Sequence, residues 1–199
     1  GELDLPHFSA YALTVEPRTA LASLVERGKS STPDDEQASR QFIRLMDWAS
    51  SAGYEHYEIS NFAKPGRYSR HNTAYWKGVS YLGIGPSAHS FDGVQRTWNI
   101  RSNPEYIRTL KEGTFSPEFE TLTPGQQYNE FVLTRLRTQW GVNLSELRSR
   151  FGATLEEHFL KEARMFVAKK WIALSDDSVH LTDAGKLYAD HIASELFAG

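Results

Sequence analysis

Hydrophobic and polar residues alternate near the start of the chain and then change to a helical period. Residues 7–17 place Tyr11, Leu13 and Val15 at every second position and end at a proline, which predicts a strand and a turn. Residues 33–53 repeat apolar side chains at helical spacing between an acidic start and a glycine, which predicts a helix. One face of this helix would carry its apolar residues: Ala38, Phe42, Leu45, Met46, Ala49 and Ala52.

Three further segments, residues 54–60, 80–85 and 94–100, have the pattern of strands, and a short helix follows from residue 104. The order of strand, helix and strand resembles the end of a parallel α/β barrel, but these strands are too few to close one. We therefore predict an α/β fold with the C-terminal strands of a partial (β/α) TIM-type barrel, from a longer chain. A sheet without its other strands leaves an open apolar edge, so we expect this chain to self-associate.

The pattern after residue 121 predicts three helices in succession. Thr123, followed by proline, marks the start of the first helix, and Gly152 marks the end of the second. The third helix opens with a Thr-x-x-Glu capping box formed by Thr154 and Glu157.

A hairpin with its turn at residues 176–178 and a final helix over residues 182–197 complete the chain. Three helices, a hairpin and a further helix predict a mainly helical, winged-helix-like domain. We therefore divide the chain into a barrel part, residues 1–115, and a C-terminal domain, residues 116–199.

Charge argues against nucleic acid as a partner of this winged-helix-like domain. From residue 123 to the end there are nine Lys and Arg against ten Asp and Glu, and the whole chain carries a formal net charge of -3. Proteins that bind nucleic acid usually present a basic face. We expect no nucleic-acid partner, and a non-enzymatic module that binds another protein stays open as an alternative.

No apolar run reaches the length of a transmembrane helix, and no signal peptide is evident. We expect a cytoplasmic location, with membrane association through a partner only. The sequence contains no cysteine, which excludes disulfides and Cys-ligated iron–sulfur clusters within this chain. His71, His89 and Glu58 match no known metal-ligand spacing, so we predict no metal site and assign no catalytic residue.

The stretch "SRHNTAYWKGVSYLGIGPSAHS" gathers the residues that could bind a ligand. It lacks a clear helical period, and its first histidine follows a predicted loop. An imidazole can ligate haem iron, and aromatic rings offer flat walls to a planar ligand. Glycines after a predicted strand allow close approach of a ligand or of another backbone. The residues alone leave a binding site and a structural turn as alternatives.

Three motifs in this order, "YEISNFAKPG", "SRHNTAYW" and "YLGIGPSAHS", resemble the oxygen-independent coproporphyrinogen III oxidase family of radical-SAM proteins. The similarity is greater to its HemW branch, the haem chaperones, because the oxidases proper lack the His-Asn-x-x-Tyr-Trp pattern. Two later stretches, "LRTQWGVNL" and "HLTDAGKLYADHI", resemble the C-terminal domain of that family.

The resemblance implies two sets of site residues. It associates one set with haem: His71, Asn72, Tyr75 and Trp76. It places the other set at the S-adenosylmethionine site: Ala12, Gly83, Gly85 and His89. The family's 4Fe–4S cluster is held by a CxxxCxxC loop, which this sequence does not contain. S-adenosylmethionine and the cluster are therefore expected in a full-length parent protein.

The function implied by the resemblance is binding of haem and its delivery to acceptor proteins. The alternative is an oxygen-independent coproporphyrinogen III oxidase, which decarboxylates coproporphyrinogen III oxidatively to protoporphyrinogen IX. Whether the parent protein is an enzyme stays open at this point.

Overall fold

A computed structural model describes residues 4–199 and divides into two compact units, which meet in sequence between Ser69 and Arg70. The first unit contains two helices and one three-stranded sheet. Its elements are β1 (His7–Ser9), α1 (Ala20–Glu26), α2 (Asp35–Ser51), β2 (Glu55–Glu58) and β3 (Asn61–Ala63). The predicted boundary between a barrel part, residues 1–115, and a C-terminal domain, residues 116–199, stays a prediction.

A stack of rings crosses the sheet of the first unit. Phe62 of the central strand β3 is fully buried between Phe8 of β1 and His56 of β2, at centroid distances of 4.9 and 4.1 Å. Both neighbours lie directly opposite Phe62 in the antiparallel register. These cross-strand ring contacts hold the three short strands together.

Helix α2 is confirmed with the face that the sequence predicts. Asp34 caps it by accepting a hydrogen bond from the backbone of Glu36, at 2.9 Å. Its least exposed positions are the predicted ones: Ala38, Phe42, Leu45, Met46 and Ala49, with Ala52 just beyond its end.

The second unit begins with one helix and continues with a three-stranded antiparallel sheet in the order β4-β5-β6. Its first elements are α3 (Arg70–Trp76), β4 (His89–Phe91), β5 (Gln95–Trp98), α4 (Asn103–Glu112) and β6 (Glu118–Thr121). The predicted strand at residues 94–100 and the predicted short helix after residue 104 are therefore confirmed.

The remainder of the second unit has the topology of a winged helix, with a sheet in the order β7-β9-β8. Its elements are α5 (Pro124–Leu136), β7 (Val142–Asn143), α6 (Leu144–Phe151), α7 (Ala153–Ala168), β8 (Ile172–Ser175), β9 (Ser178–Leu181), α8 (Asp183–Lys186) and α9 (Ala189–Glu195). We call this part the winged-helix module. Its core contains large, fully buried side chains from every helix but the shortest: Tyr128, Leu136, Leu147, Phe159, Phe166 and Ile192.

Four local predictions are wrong. Only residues 7–9 of the first predicted strand pair with another strand, and residues 80–85 contribute only a single bridge, between Tyr81 and Phe91. The capping box predicted for α7 is absent, because the N-cap of the helix is Gly152, two residues before the predicted cap Thr154. The last predicted helix is two helices, interrupted at Leu187 and Tyr188.

The strand pairs described in residues 4–199 are all antiparallel, although the predicted arrangement of the barrel strands was parallel. Strands β2 and β3 are separated by two residues, and β4 and β5 by three. Connections this short permit only antiparallel neighbours, since a parallel pair needs a crossover of a dozen or more residues.

Candidate functional site

Helix α3 contains all four residues that the resemblance associates with haem, in a stretch where the sequence showed no clear helical period. Helical spacing places His71 one turn before Tyr75, and Asn72 one turn before Trp76. The two ring centroids of His71 and Tyr75 lie 5.1 Å apart in an edge-to-face contact. The pattern His-Asn-x-x-Tyr-Trp is therefore two adjacent (i, i+4) pairs on one short helix.

A Schellman motif ends the helix. The amide of Gly78 donates to the carbonyl of Tyr75, and the amide of Val79 donates to that of Ala74, both at 3.0 Å. Gly78 has a φ of 64°, the left-handed conformation that this motif requires and that glycine adopts without strain. The "WKGV" sequence thus defines where the helix stops.

The His71–Tyr75 pair and the Asn72–Trp76 pair of α3 differ in their exposure to solvent. Trp76 is half-buried, its carbonyl accepts a hydrogen bond from Arg135 Nη1 at 3.2 Å, and the Arg137 guanidinium lies 5.5 Å from its ring centroid. His71 is exposed, and Tyr75 is 41% exposed. Helix α3 is therefore anchored to the winged-helix module through Trp76 and presents an imidazole and a phenol to solvent.

A row of rings continues from Tyr75 toward the sheet β4-β5-β6. Tyr81 lies 4.5 Å from Tyr75 and 6.2 Å from Phe91, measured between ring centroids. Burial raises the pKa of Tyr81, its hydrogen-bonded neighbour Tyr75 raises it further, and Arg96 partly opposes this rise. Arg96 in turn forms an ion pair of 2.8 Å with Glu130 of α5.

A cleft of about 170 Å³ lies beside the C-terminal end of α3, within the second unit. Its apolar walls include Tyr75 and Trp76 of α3 and Phe131 of α5. Its cationic lining residues are Lys77, Arg96, Arg135 and Arg150. Two of the four haem-associated residues therefore line a cleft with several positive charges.

Gly83 and Gly85 differ in what surrounds them. A Cβ at Gly83 would lie 2.1 Å from the carbonyl oxygen of His89, so this glycine is required by close approach of the protein's own backbone. Gly85 has a φ of 106° and no atom within 4 Å of the position of a Cβ. Asn99 holds the turn by donating to both glycine carbonyls, at 3.2 and 2.9 Å.

The other two residues of the predicted S-adenosylmethionine set are exposed. His89 is the first residue of β4, and its ring centroid lies 6.2 Å from that of Trp98. Ala12 belongs to the first unit and follows β1. Across residues 4–199 no cluster of three or more His, Asp or Glu side chains is placed to hold a metal ion. No helix in the same range is long and apolar enough to span a membrane.

Sequence reasoning missed the residues that complete the cleft, above all Tyr81, Arg96, Arg135 and Arg150. Arg96 lies in a strand recognised from its pattern, and Arg135 and Arg150 lie in helices recognised from their caps. A single cation in such an element is ordinarily a solvated surface residue. Only their convergence from β5, α5 and α6 distinguishes them, and the chain contains no local signal for it.

Comparison with known proteins shows similarity to one family of proteins. The family model of the HemN C-terminal domain matches residues 122–188, which lie in the winged-helix module. The chain is 36% identical over 191 residues to "Heme chaperone HemW" of Mycobacterium tuberculosis and 34% identical over 192 residues to that of Bacillus subtilis. Each match covers 96% of this chain. The chain is thus similar to HemW haem chaperones over nearly all of its length, and residues 122–188 match the HemN C-terminal domain.

The HemW relatives are longer than this chain, which spans 47% and 50% of their lengths in these two matches. A solved structure agrees in fold, with a TM-score of 0.72 and 17% identity, over 99% of this chain and 49% of the other. That structure is described as coproporphyrinogen III oxidase (HemN) from Escherichia coli, a radical-SAM enzyme. The predicted fold class, α/β with the C-terminal strands of a partial barrel and a winged-helix-like C-terminal domain, is confirmed at the level of the overall fold.

Proposed function

We propose that this chain is the haem-binding half of a HemW-like haem chaperone, with helix α3 as the place where haem binds. The HemW relatives are named as haem chaperones, and delivery of haem to acceptor proteins is the role that this name supports. One observation carries the proposal: His71 is exposed at the rim of α3 and is contacted edge-on by Tyr75, on a helix anchored by Trp76.

The chemistry of α3 suits haem. An exposed imidazole on an anchored helix can ligate the iron, and the ring of Tyr75 can cover one face of the porphyrin at its edge. Because Trp76 and the Schellman motif hold the helix, the imidazole is positioned before haem arrives. Its exposure also suits a cargo that must leave again, since a fully enclosed haem would dissociate slowly.

The direct test is a Soret titration of the full-length protein with haem. We expect His71→Ala to weaken binding at least about tenfold and to change the Soret band, because an iron ligand is lost. His191→Ala is the matched control, since His191 is also exposed on a helix and edge-on to a ring, that of Phe166. Equal affinity and an equal Soret band for wild type and His71→Ala would disprove the role of His71.

We also propose that Ala12, Gly83, Gly85 and His89 belong to the S-adenosylmethionine site of the full-length protein, together with a 4Fe–4S cluster whose cysteines lie elsewhere. The open space at Gly85 and the exposed ring of His89 fit the approach of a ligand, whereas Gly83 acts through backbone packing. When bound, S-adenosylmethionine would supply radical chemistry to the parent protein.

The two proposed sites predict opposite effects in the same protein. His89→Ala should weaken binding of S-adenosylmethionine, measured by calorimetry on cluster-reconstituted protein, and leave the Soret band unchanged. His71→Ala should do the reverse. A variant that impairs both ligands equally would show that the two histidines do not mark separate sites.

A further inference from the structure

The cleft beside α3 is too small for a whole tetrapyrrole but large enough for one of its side arms. Its volume is about 170 Å³. Pockets that enclose a drug-sized ligand measure about 300–1,000 Å³, and haem is larger than most such ligands. If haem binds at α3, as proposed above, its ring must lie outside this cleft.

The position of the cleft relative to His71 suits an arm of such a ligand. Tyr75 lines the cleft and lies one helical turn, about 6 Å, beyond His71 on the same side of α3. The two carboxylate arms of haem project past the edge of its ring. A haem whose iron is ligated by His71 can therefore reach the mouth of the cleft with one of its carboxylate arms.

Two arginines that line the cleft share one acid among the described residues, which leaves positive charge uncompensated. Glu146 accepts from both Arg135, at 2.8 Å, and Arg150, at 3.3 Å. One carboxylate thus faces two guanidinium groups. Arg96 has acids of its own in Glu130 and Glu120, so it does not add to this excess.

Two residues that line the cleft each carry a buried hydrogen-bond donor without an acceptor. Among the described residues, the buried Nε of Arg135 and the buried indole Nε1 of Trp76 have no hydrogen-bond partner, and both residues line the cleft. Buried donors are normally satisfied, because leaving one unpaired costs free energy. A carboxylate accepts several hydrogen bonds and prefers guanidinium donors.

We infer that this cleft binds a carboxylate arm of haem, with Arg150 as the adjustable donor and the guanidinium of Arg135 as a fixed one. Arg135 is held by its contacts to Glu146 and to the carbonyl of Trp76. The Arg150 side chain is 45% exposed and rests on the rings of Phe131 and Phe151, so it can turn toward an incoming anion. The inference rests on haem as the ligand of α3.

The test compares haem with its dimethyl ester, in which both carboxylates are blocked, in Soret titrations of the full-length protein. We expect wild type to bind haem about tenfold more tightly than the ester, since a charge-assisted hydrogen bond is lost on esterification. Arg150→Gln should bind haem about as weakly as the ester and should bind the ester as wild type does. Its fold is checked by circular dichroism.

Arg148→Gln is the matched control. Arg148 lies on the same helix, is exposed and ion-paired to Glu156 at 2.9 Å, and is not among the residues that line the cleft. It should retain the preference for haem over the ester. Equal binding of haem and ester by wild type, or an unchanged preference in Arg150→Gln, would overturn the inference while leaving haem binding at His71 intact. Absence of haem binding would overturn the proposed function as well.

Discussion

The second unit contains two three-stranded antiparallel sheets that differ sharply in burial. Strands β7, β8 and β9 of the winged-helix module contribute four buried residues to its core: Val142, Ile172, Val179 and Leu181. In the sheet β4-β5-β6, no residue within the described strands is buried. The module covers its own sheet with helices, whereas the other sheet has no such cover in the described part of the chain.

The candidate site lies where these two regions meet. Tyr81 and Arg96 come from the uncovered region, and Phe131, Arg135 and Arg150 come from the module. The module supplies a rigid wall, because its core side chains are fully enclosed. The winged-helix module, with its buried core, therefore positions the site. The region of the sheet β4-β5-β6, whose side chains are less buried, forms its more exposed side.

The prediction with the largest expected effect tests whether the winged-helix module contributes more to the free energy of unfolding than the sheet β4-β5-β6 does. Phe166→Ala removes a fully buried ring from α7 and should lower the free energy of unfolding by about 3–5 kcal/mol. Phe119→Ala in β6, whose side chain is 65% exposed, should change it by less than about 1 kcal/mol. Urea denaturation of both variants measures the difference. Equal losses would contradict the contrast between the two sheets.

The second prediction concerns the exposed apolar side chains of the uncovered region. Leu82 and Ile84 are 80% and 85% exposed and lie in the segment before β4. Exposed apolar groups of this size promote association, so Leu82→Ser with Ile84→Ser should reduce self-association of this chain in light scattering. Leu174→Ser, at a 49% exposed position in the module, serves as the control. Self-association that persists in the double variant would show that other residues form the associating surface.

The smallest expected effect compares one aspartate at the turn of a hairpin in each region. Hydrogen bonds from Ser145, and then from Asn143, lower the pKa of Asp177 in the module. Backbone hydrogen bonds from Gln95 and Val94 lower the pKa of Asp92 at the β4–β5 turn. A folded-state pKa below the ordinary 3.8 means that each carboxylate stabilises the fold above that pH. This contribution is lost as the pH falls through the lowered value.

Carboxyl titration by NMR should place both aspartates below 3.8. Asp177→Asn should reduce the acid sensitivity of unfolding more than Asp92→Asn, because Asp177 connects the hairpin to Ser145 of α6 and Asp92 bonds only to its own turn. A folded-state pKa at or above the ordinary value for Asp177 would contradict the prediction.

Much of the secondary structure could be predicted because its signals are local. Thr123 both begins α5 and closes a capping box with Gln126, and Asn143 caps α6 at Glu146. The predicted turn of the last hairpin occurs at residues 176 and 177, between β8 and β9. In each case neighbouring residues satisfy the backbone groups, so no distant contact is needed.

Helix α3 could not be predicted because its stabilising contacts are distant in sequence. Its residues show no apolar face, and the support comes from Arg135 and Arg137, about sixty residues later. A contact distant in sequence also constrains α8. A Cβ at Gly185 would lie 1.9 Å from the carbonyl oxygen of Trp171, the residue before β8, so only glycine fits at this position.

The sequence by itself determined the resemblance to HemW, the capped helices, the last hairpin and the four residues of the His-Asn-x-x-Tyr-Trp motif. Each of these features depends on residues that are near one another along the chain. Only the tertiary structure decided that the motif forms a helix, that His71 and Tyr75 are on its exposed side, and that arginines from α5 and α6 meet beside it. Burial and charge convergence depend on which elements pack together, and no short stretch of sequence encodes that.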